Sequence, residues 1–412
     1  MDSRANPRYV DLGTNPRYRR GFRNQCALLL AVLVLTTACT NASQRPKEAS
    51  WPGKPTAVAS GVEFFQSTDE SLVEGNGPIA VFLLKLDPAR VRLDSALSND
   101  EVVDAERVDT IAERNKAVAA VNGGFFNVKN GEPIGLLKVR GELVSDTSLS
   151  RGAVAIRSPP AGKTELAFDQ ISAKVTLKFK AGGKTWTMPV DGVDTTRERG
   201  KLMLYTPAYH RDTDTAGNGT DWVIRGGKTL EVTDVRYNVS RAPIPRDGAV
   251  LSYGGLELPE PLSALEVGTV VSFETTWTTV NGLAPARLEE ADHIVNGAGL
   301  LRLNGATPSN WQTSERLVPD TFINQRHPRT LIGVDRHGAI WLAAIDGRQP
   351  DYSIGMTLSD LVRLCDRLDL RDALNLDGGG STTMVVQGKI VNRPSDAAGP
   401  RPVSDAILVK LR

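Results

Sequence analysis

Four short segments carry the residue types that a hydrolytic site needs: Asn122-Gly123-Gly124, Arg326 to Thr330 (RHPRT), Asp346 to Pro350 (DGRQP) and Asp377 to Thr383 (DGGGSTT). Asp346 and Asp377 offer carboxylates that can move a proton or stabilise positive charge. Arg329 and Arg348 offer planar forks of donors that suit an oxyanion. Gly123, Gly124, Gly378 and Gly379 let a ligand approach bare backbone, and Ser381 and Thr382 place hydroxyls near Asp377. A glycine triplet beside hydroxyls invites a phosphate-loop reading. The lysine of that motif is missing, however, and STTMVVQGKIVN (381–392) alternates around a Gln387-Gly388 turn, so it reads as strand, turn, strand. Aspartates next to arginines could equally form structural ion pairs, and on the residues alone that reading stays open.

Other chemistries fit less well. The four histidines, His210, His293, His327 and His337, include no pair at metal-ligand spacing, and there is no cysteine cluster, which argues against a zinc site. Ser381 lacks both a Gly-x-Ser-x-Gly elbow and an evident histidine partner. No cofactor is indicated beyond a possible divalent cation, for which Asp377 and Asp346 would supply oxygen ligands. Lys plus Arg (49) nearly cancels Asp plus Glu (48), so no global field recruits nucleic acid.

Each of the four segments follows or opens an apolar stretch, and these stretches must position them. PIAVFLLKLD (78–87), AVAAVNGGFF (117–126), KLMLYTPAY (201–209) and RTLIGVDRHGAIWLAAIDG (329–347) read as strands, the last as a hairpin turning at Asp335 to Gly338. Helical spacing is confined to 104–116 and 358–369, the second opening on Thr357 with Asp360 three residues later, a capping-box arrangement. Its Cys365 falls on the apolar stripe with Leu361 and Leu368 and reads as a buried small hydrophobe. The fold class is α+β, a strand-rich mixed sheet core with few helices and one main catalytic domain spanning 61–412, in which 160–290 reads only as β-rich. Three segments look alike: VNGGFF (121–126), VNGAGLL (295–301) and LDGGGST (376–382) each end an apolar strand in Asn or Asp and run into glycines. Taken locally, they are also ordinary hairpin-turn signals.

The first residues read as an address. Arg8, Arg17, Arg19, Arg20 and Arg23 precede an uncharged run from Cys26 to Cys39, too short to span a bilayer, which needs about 20 residues. LTTAC resembles a bacterial lipoprotein cleavage box with Cys39 as the lipidated residue, and RRGF (19–22) resembles a twin-arginine export signal. Residues 1–39 are thus expected to be a lipoprotein-type signal and 40–60 a polar tether. The protein is expected to be exported and held on the outer side of a bacterial cell membrane, or secreted. Only Cys365 then remains in the mature chain, so stability comes from packing rather than from an internal disulfide.

AVNGGFF (120–126), HPRTLIGVD (327–335), AAIDGRQPDYSIGMTLSDLVRL (343–364), ALNLDGGGSTTMVVQGKIVNRPSD (373–396) and RPVSDAILV (401–409) together resemble the phosphodiester glycosidase family. LYTPAY (204–209) followed by TDT (213–215) is similar to a further family segment. The resemblance implies cleavage of a sugar from a sugar-1-phosphodiester, with a glycan or sugar phosphate as partner; the membrane is expected to be a partner through the lipid anchor at Cys39. It also implies that Asn122, Arg329, Asp346, Arg348 and Asp377 mark the site. On that reading Asp377 activates water or stabilises an oxocarbenium-like centre, and Arg329 and Arg348 hold the departing phosphate. Asn122 bonds the sugar or phosphate, and Asp346 orients an arginine or a sugar hydroxyl. The alternative is a non-catalytic glycan-binding or exopolysaccharide-assembly envelope protein on the same scaffold. Cys39→Ala should release the protein from the membrane fraction or block its processing; a mature wild-type chain found free in the medium and starting beyond Cys39 would refute lipid anchoring.

Overall fold

The computed structural model describes residues 51–308 and 310–412; the expected leader, Cys39 and residues 40–50 of the expected tether lie outside the described residues. Strands dominate and fall into three sheets. A seven-stranded antiparallel sheet runs in the order Thr56–Ala59, Val62–Ser67, Val81–Leu86, Ile340–Ile345, Arg329–Asp335, Leu370–Asn375 and Leu300–Arg302. A five-stranded sheet contains Lys389–Ile390, Met384–Val386, Ala119–Asn122, Asp405–Leu411 and Val91–Leu97. A twelve-stranded sheet is built largely from the middle of the chain, including the 17-residue strand Glu165–Ala181. The strand-rich α+β class expected from the sequence is the one observed.

The apolar runs of the seven-stranded sheet are almost continuous because both of its faces are covered. Ile332, Leu342, Leu84 and Leu374 join a core with Val121, Ile407 and Val409 of the five-stranded sheet and Val154 and Val295 of the twelve-stranded one. Leu331, Ala343, Val81 and Leu83 face the other way, into a second core with Leu358, Leu361, Leu364 and Cys365 of the helix Leu358–Arg367. A strand buried on two sides has no polar face to alternate with, so alternation is muted where burial is deepest.

Local signals set the boundaries of these elements. The hairpin expected at Asp335 to Gly338 is present: Gly338 N–H donates to the Asp335 carbonyl, and the Asp335 carboxylate accepts from His337 N, Ala339 N and Trp341 Nε1. Helix Leu358–Arg367 opens on the reciprocal Thr357 and Asp360 capping box. The helical pattern at 104–116 shortens to Val108–Arg114. Lys116 then takes a positive φ of 54° and Ala117 leads into the next strand.

The segment that joins the seven-stranded sheet to the five-stranded one holds Asp377, Ser381 and Thr382. Leu370–Asn375 ends in the first sheet, Met384–Val386 begins in the second, and the crossover includes a short 3-10 turn at Gly379–Ser381. The strand, turn, strand reading of 381–392 therefore holds, with Val386 paired to Lys389 across Gln387-Gly388. Cys365 is fully buried and free, and burial pushes its thiol up. Cys365→Ala should cost about 1 kcal/mol in denaturant unfolding, and the native protein should resist a thiol reagent until it unfolds; fast labelling under native conditions would contradict this packing.

Candidate active site

The glycine-rich segments that look like separate turns converge. Gly123 N donates to the Asp405 carbonyl (2.9 Å) and Asp377 N donates to the Gly123 carbonyl (3.2 Å), so one peptide segment bridges the two sheets. Gly124 packs on the Asn296 carbonyl, and Ala298 N donates to the Asn375 carbonyl at 2.9 Å. The ends of four strands thereby meet, which a set of independent hairpins would not produce. A side-chain carbon at Gly123 would run into the Asp405 carboxylate, so only glycine fits between the two aspartates.

Asn122, expected to reach the ligand, commits its amide to the protein. It ends strand Ala119–Asn122 with no exposed surface; its Nδ2 donates to the Asp377 carbonyl at 2.8 Å. Its Oδ1 accepts from Thr330 Oγ1 (2.7 Å) and Thr383 N (3.2 Å). Thr382 is likewise interior, its hydroxyl turned to Thr330.

Asp377 is partly open to solvent. One carboxylate oxygen accepts from Gly378 N at 2.8 Å. Burial raises its pKa to about 6; Ser381, Gly378 and Arg401 hold back part of the rise, and the nearby charge of Asp405 adds to it. The Ser381 hydroxyl is buried beside the carboxyl, short of hydrogen-bond geometry with any partner. Asp405, which opens strand Asp405–Leu411, is buried and is also raised to about 6 by burial, against hydrogen bonds from Ser404 and from Gly124 N. Asp405 and Arg401 escape notice in the sequence because each stands in RPVSDAILV as one more charge near an apolar strand. The signal that marks Asp405 is a carboxylate opening a strand whose next four residues are all buried.

Asp346 follows strand Ile340–Ile345 and is 1% exposed. Its oxygens accept from Asn392 Nδ2 (2.8 Å), Arg393 N (2.8 Å) and Tyr352 Oη (3.1 Å), which ties loop 347–353 to residues 392–393. Burial raises its pKa and these donors lower it. Both oxygens thus face donors, an environment that does not suit a cation ligand. Among the described residues, no three metal-ligating side chains gather.

The two arginines divide their work. Arg329 is 2% exposed: Nε donates to the Met356 carbonyl and Nη2 to those of Phe322 and Gln325, with the guanidinium carbon 4.9 Å from the centre of the Phe322 ring. Burial and the neighbouring Arg348 lower its pKa to about 10. Arg348 is exposed, has a left-handed backbone (φ 61°) and lays its guanidinium against Gly379. Gly379 itself requires φ +61°, which glycine adopts without cost. Arg348 Nη2 donates to His327 Nδ1 at 3.2 Å, while His327 Nε2 donates to the Thr321 carbonyl at 2.9 Å. That pairing defines a neutral ring, and burial together with the two arginines lowers its pKa. His327 stands beside the expected residues but has no sequence spacing to mark it.

Residues 218–410 match the family model described as phosphodiester glycosidase. The range includes Arg329, Asp346, Arg348, Asp377 and Asp405, whereas Asn122 to Gly124 precede it. The human N-acetylglucosamine-1-phosphodiester alpha-N-acetylglucosaminidase is 34% identical over 122 residues, 28% of this chain and 23% of its own length. The mouse protein of the same name is 35% identical over 104 residues, 24% of this chain and 20% of its own. The aligned stretch thus spans about a quarter or less of these curated relatives. A hypothetical protein from Synechocystis superposes with a TM-score of 0.72 at 25% identity, covering 87% of this chain and 64% of its own. The family resemblance read from the motifs therefore rests on the sequence matches, and the superposition shows a shared fold.

Asp405→Asn offers a test of the paired carboxyls. A carboxyl whose folded pKa lies above its unfolded 3.8 stabilises the fold fully below that value and loses the contribution as pH rises through about 6. The variant, which cannot ionise, should therefore gain stability over wild type on going from pH 4 to pH 8, on the order of 3 kcal/mol at most. Parallel unfolding curves for the two proteins across that range would show that Asp405 is not held protonated by burial.

Proposed function

We propose that this chain, with residues 218–410 matching the phosphodiester glycosidases, hydrolyses the glycosidic bond of a sugar-1-phosphodiester. The observation that supports it best is the pair Asp377 and Asp405 on either side of Gly123, with the exposed Arg348 guanidinium against Gly379. A phosphate monoester leaves as a stable anion, so the reaction depends less on a protonated acid than ordinary glycoside hydrolysis does. Charge on the anomeric side and charge on the departing phosphate then carry the rate.

Asp377 is the catalytic carboxylate in this reading. Gly378 N fixes one oxygen and Ser381 lies beside the carboxyl, while its partial exposure leaves it open to water or to the developing positive centre. Arg348 receives the phosphate, with neutral His327 accepting one of its N–H bonds and so aiming the fork. Asp405 is a positioning residue: it shapes Gly123 and Gly124, and its charge raises Asp377. Asn122, Arg329 and Asp346 hold the loops that carry these groups. The basic leader and Cys39 support placing the enzyme outside the cytoplasm, on an envelope or extracellular glycan.

Turnover of two substrates separates the roles. Asp377→Asn should lose roughly 10²-fold or more on both a sugar-1-phosphodiester and an activated aryl glycoside. Arg348→Lys should lose activity chiefly on the phosphodiester, because lysine keeps the charge but not the fork. Near-wild-type phosphodiester hydrolysis by Asp377→Asn would sink the mechanism. Because Asp377 must be ionised, kcat/KM should fall as pH drops through about 6, and Asp405→Asn, which removes a like charge, should move that acid limb to lower pH.

A further inference from the structure

LYTPAY and the following TDT take no part in the site above. In the structure Tyr209, Thr213 and Thr215 line a cavity of about 280 Å³, together with Glu132, Thr196 and Arg197. The cavity is near the lower end of small-molecule sites, about 300 Å³, which is room for one small ring. Its floor is polar although deeply buried, with Thr213 1% exposed, Tyr209 3% and Glu132 7%, while Thr196, Asp214, Ala216 and Asn218 of the lining are exposed. Burying such groups costs free energy unless they find partners.

The charges on the lining are not balanced. Arg197 is answered by Asp221 at 3.2 Å and also donates to Ser252 Oγ, the Ala216 carbonyl and Asn218 Oδ1. Asp214 is answered by Arg241 at 2.7 Å. Glu132 accepts only from hydroxyls, Thr196 Oγ1 at 2.8 Å and Thr195 Oγ1 and Tyr209 Oη at 3.3 Å, with no cation paired to it among the described residues. One net negative charge therefore faces the cavity, which disfavours phosphate and carboxylate ligands and favours a donor of several O–H groups. Thr213 Oγ1 and Thr215 Oγ1, 2.9 Å apart, can each donate or accept. The Tyr209 ring is backed by Tyr205 with centroids 4.7 Å apart, which holds the Tyr209 hydroxyl in place against Glu132. Behind the lining, Tyr205 Oη and Asp221 Oδ2 are buried without a hydrogen-bond partner among the described residues, within electrostatic reach of Arg197.

We propose that this cavity is a second binding site, for an uncharged sugar ring, one of whose hydroxyls donates to the acceptor site of Glu132 that Thr195, Thr196 and Tyr209 leave free. The site does not depend on the hydrolytic reading, because no residue of the catalytic site lines it. Saturation-transfer NMR with glucose, galactose and N-acetylglucosamine at millimolar concentration tests it directly. Wild type and Asp377→Asn should both transfer saturation to at least one of these sugars. Ala216→Trp, which fills the mouth from an exposed lining position and leaves the buried network intact, should weaken binding by about tenfold or more. Thr196→Val, at a second exposed lining position, should weaken it as well. Absence of transfer to all three sugars in wild type, or transfer that survives Ala216→Trp, overturns the proposal. So does transfer lost in Asp377→Asn, which would place the sugar at the catalytic carboxylate, or a thermal shift produced by calcium or potassium chloride but by none of the sugars.

Discussion

The side-chain amide of Asn122 is the joint between two sheets. It accepts from Thr330, which belongs to the seven-stranded sheet, and from Thr383, at the edge of the five-stranded one, and it donates to the Asp377 carbonyl between them. All of this is buried. Each hydrogen bond contributes about 0.5–1.5 kcal/mol net, but a partner left unpaired costs about 1–3 kcal/mol, so loss of the amide is felt at three backbone or hydroxyl groups together. The position of the Asp377 carboxylate therefore depends on a residue that has no exposed surface of its own.

Around that joint the protein separates charges by exposure. Arg329 is buried without a hydrogen-bonded carboxylate and spreads its charge over three carbonyls and the face of Phe322, fixing the turn 319–325 and Met356. Arg348 stays in solvent with a single neutral hydrogen-bond partner among the described residues. The carboxyls show the same division: Asp346 is saturated with donors, Asp405 is enclosed, and Asp377 keeps an opening. Desolvation raises all three, and the charge of Asp405 adds to the rise at Asp377. Residue type alone would give each of these aspartates the same role, and each of these arginines another.

Two features of the fold favour glycine at Gly123 and Gly379. Asp405 occupies the space a side chain at Gly123 would fill, and Arg348 rests on Gly379, whose backbone is left-handed. The short crossover that contains Asp377 brings a carboxylate, bare N–H groups and a guanidinium to one place because it must leave one sheet and enter another within a few residues.

Composition and pattern determined the strand-rich class, the hairpin at Asp335 to Gly338, the cap at Thr357 and the burial of Cys365, since each is set by local chemistry or by a repeat that one element imposes. The segments holding Asn122, Arg329, Asp346, Arg348 and Asp377 were also legible, because glycines, carboxylates and arginines at strand ends are unusual wherever they occur. What each residue does there was decided by tertiary structure. Asn122 and Arg329 became interior supports, Asp405 and His327 entered the site, and Tyr209 of LYTPAY came to line a separate cavity, through pairings between residues as far apart as Asn122 and Thr383. Burial and charge neighbours arise only when such distant segments meet, and these set hydrogen-bond partners and pKa, so no window of sequence contains them.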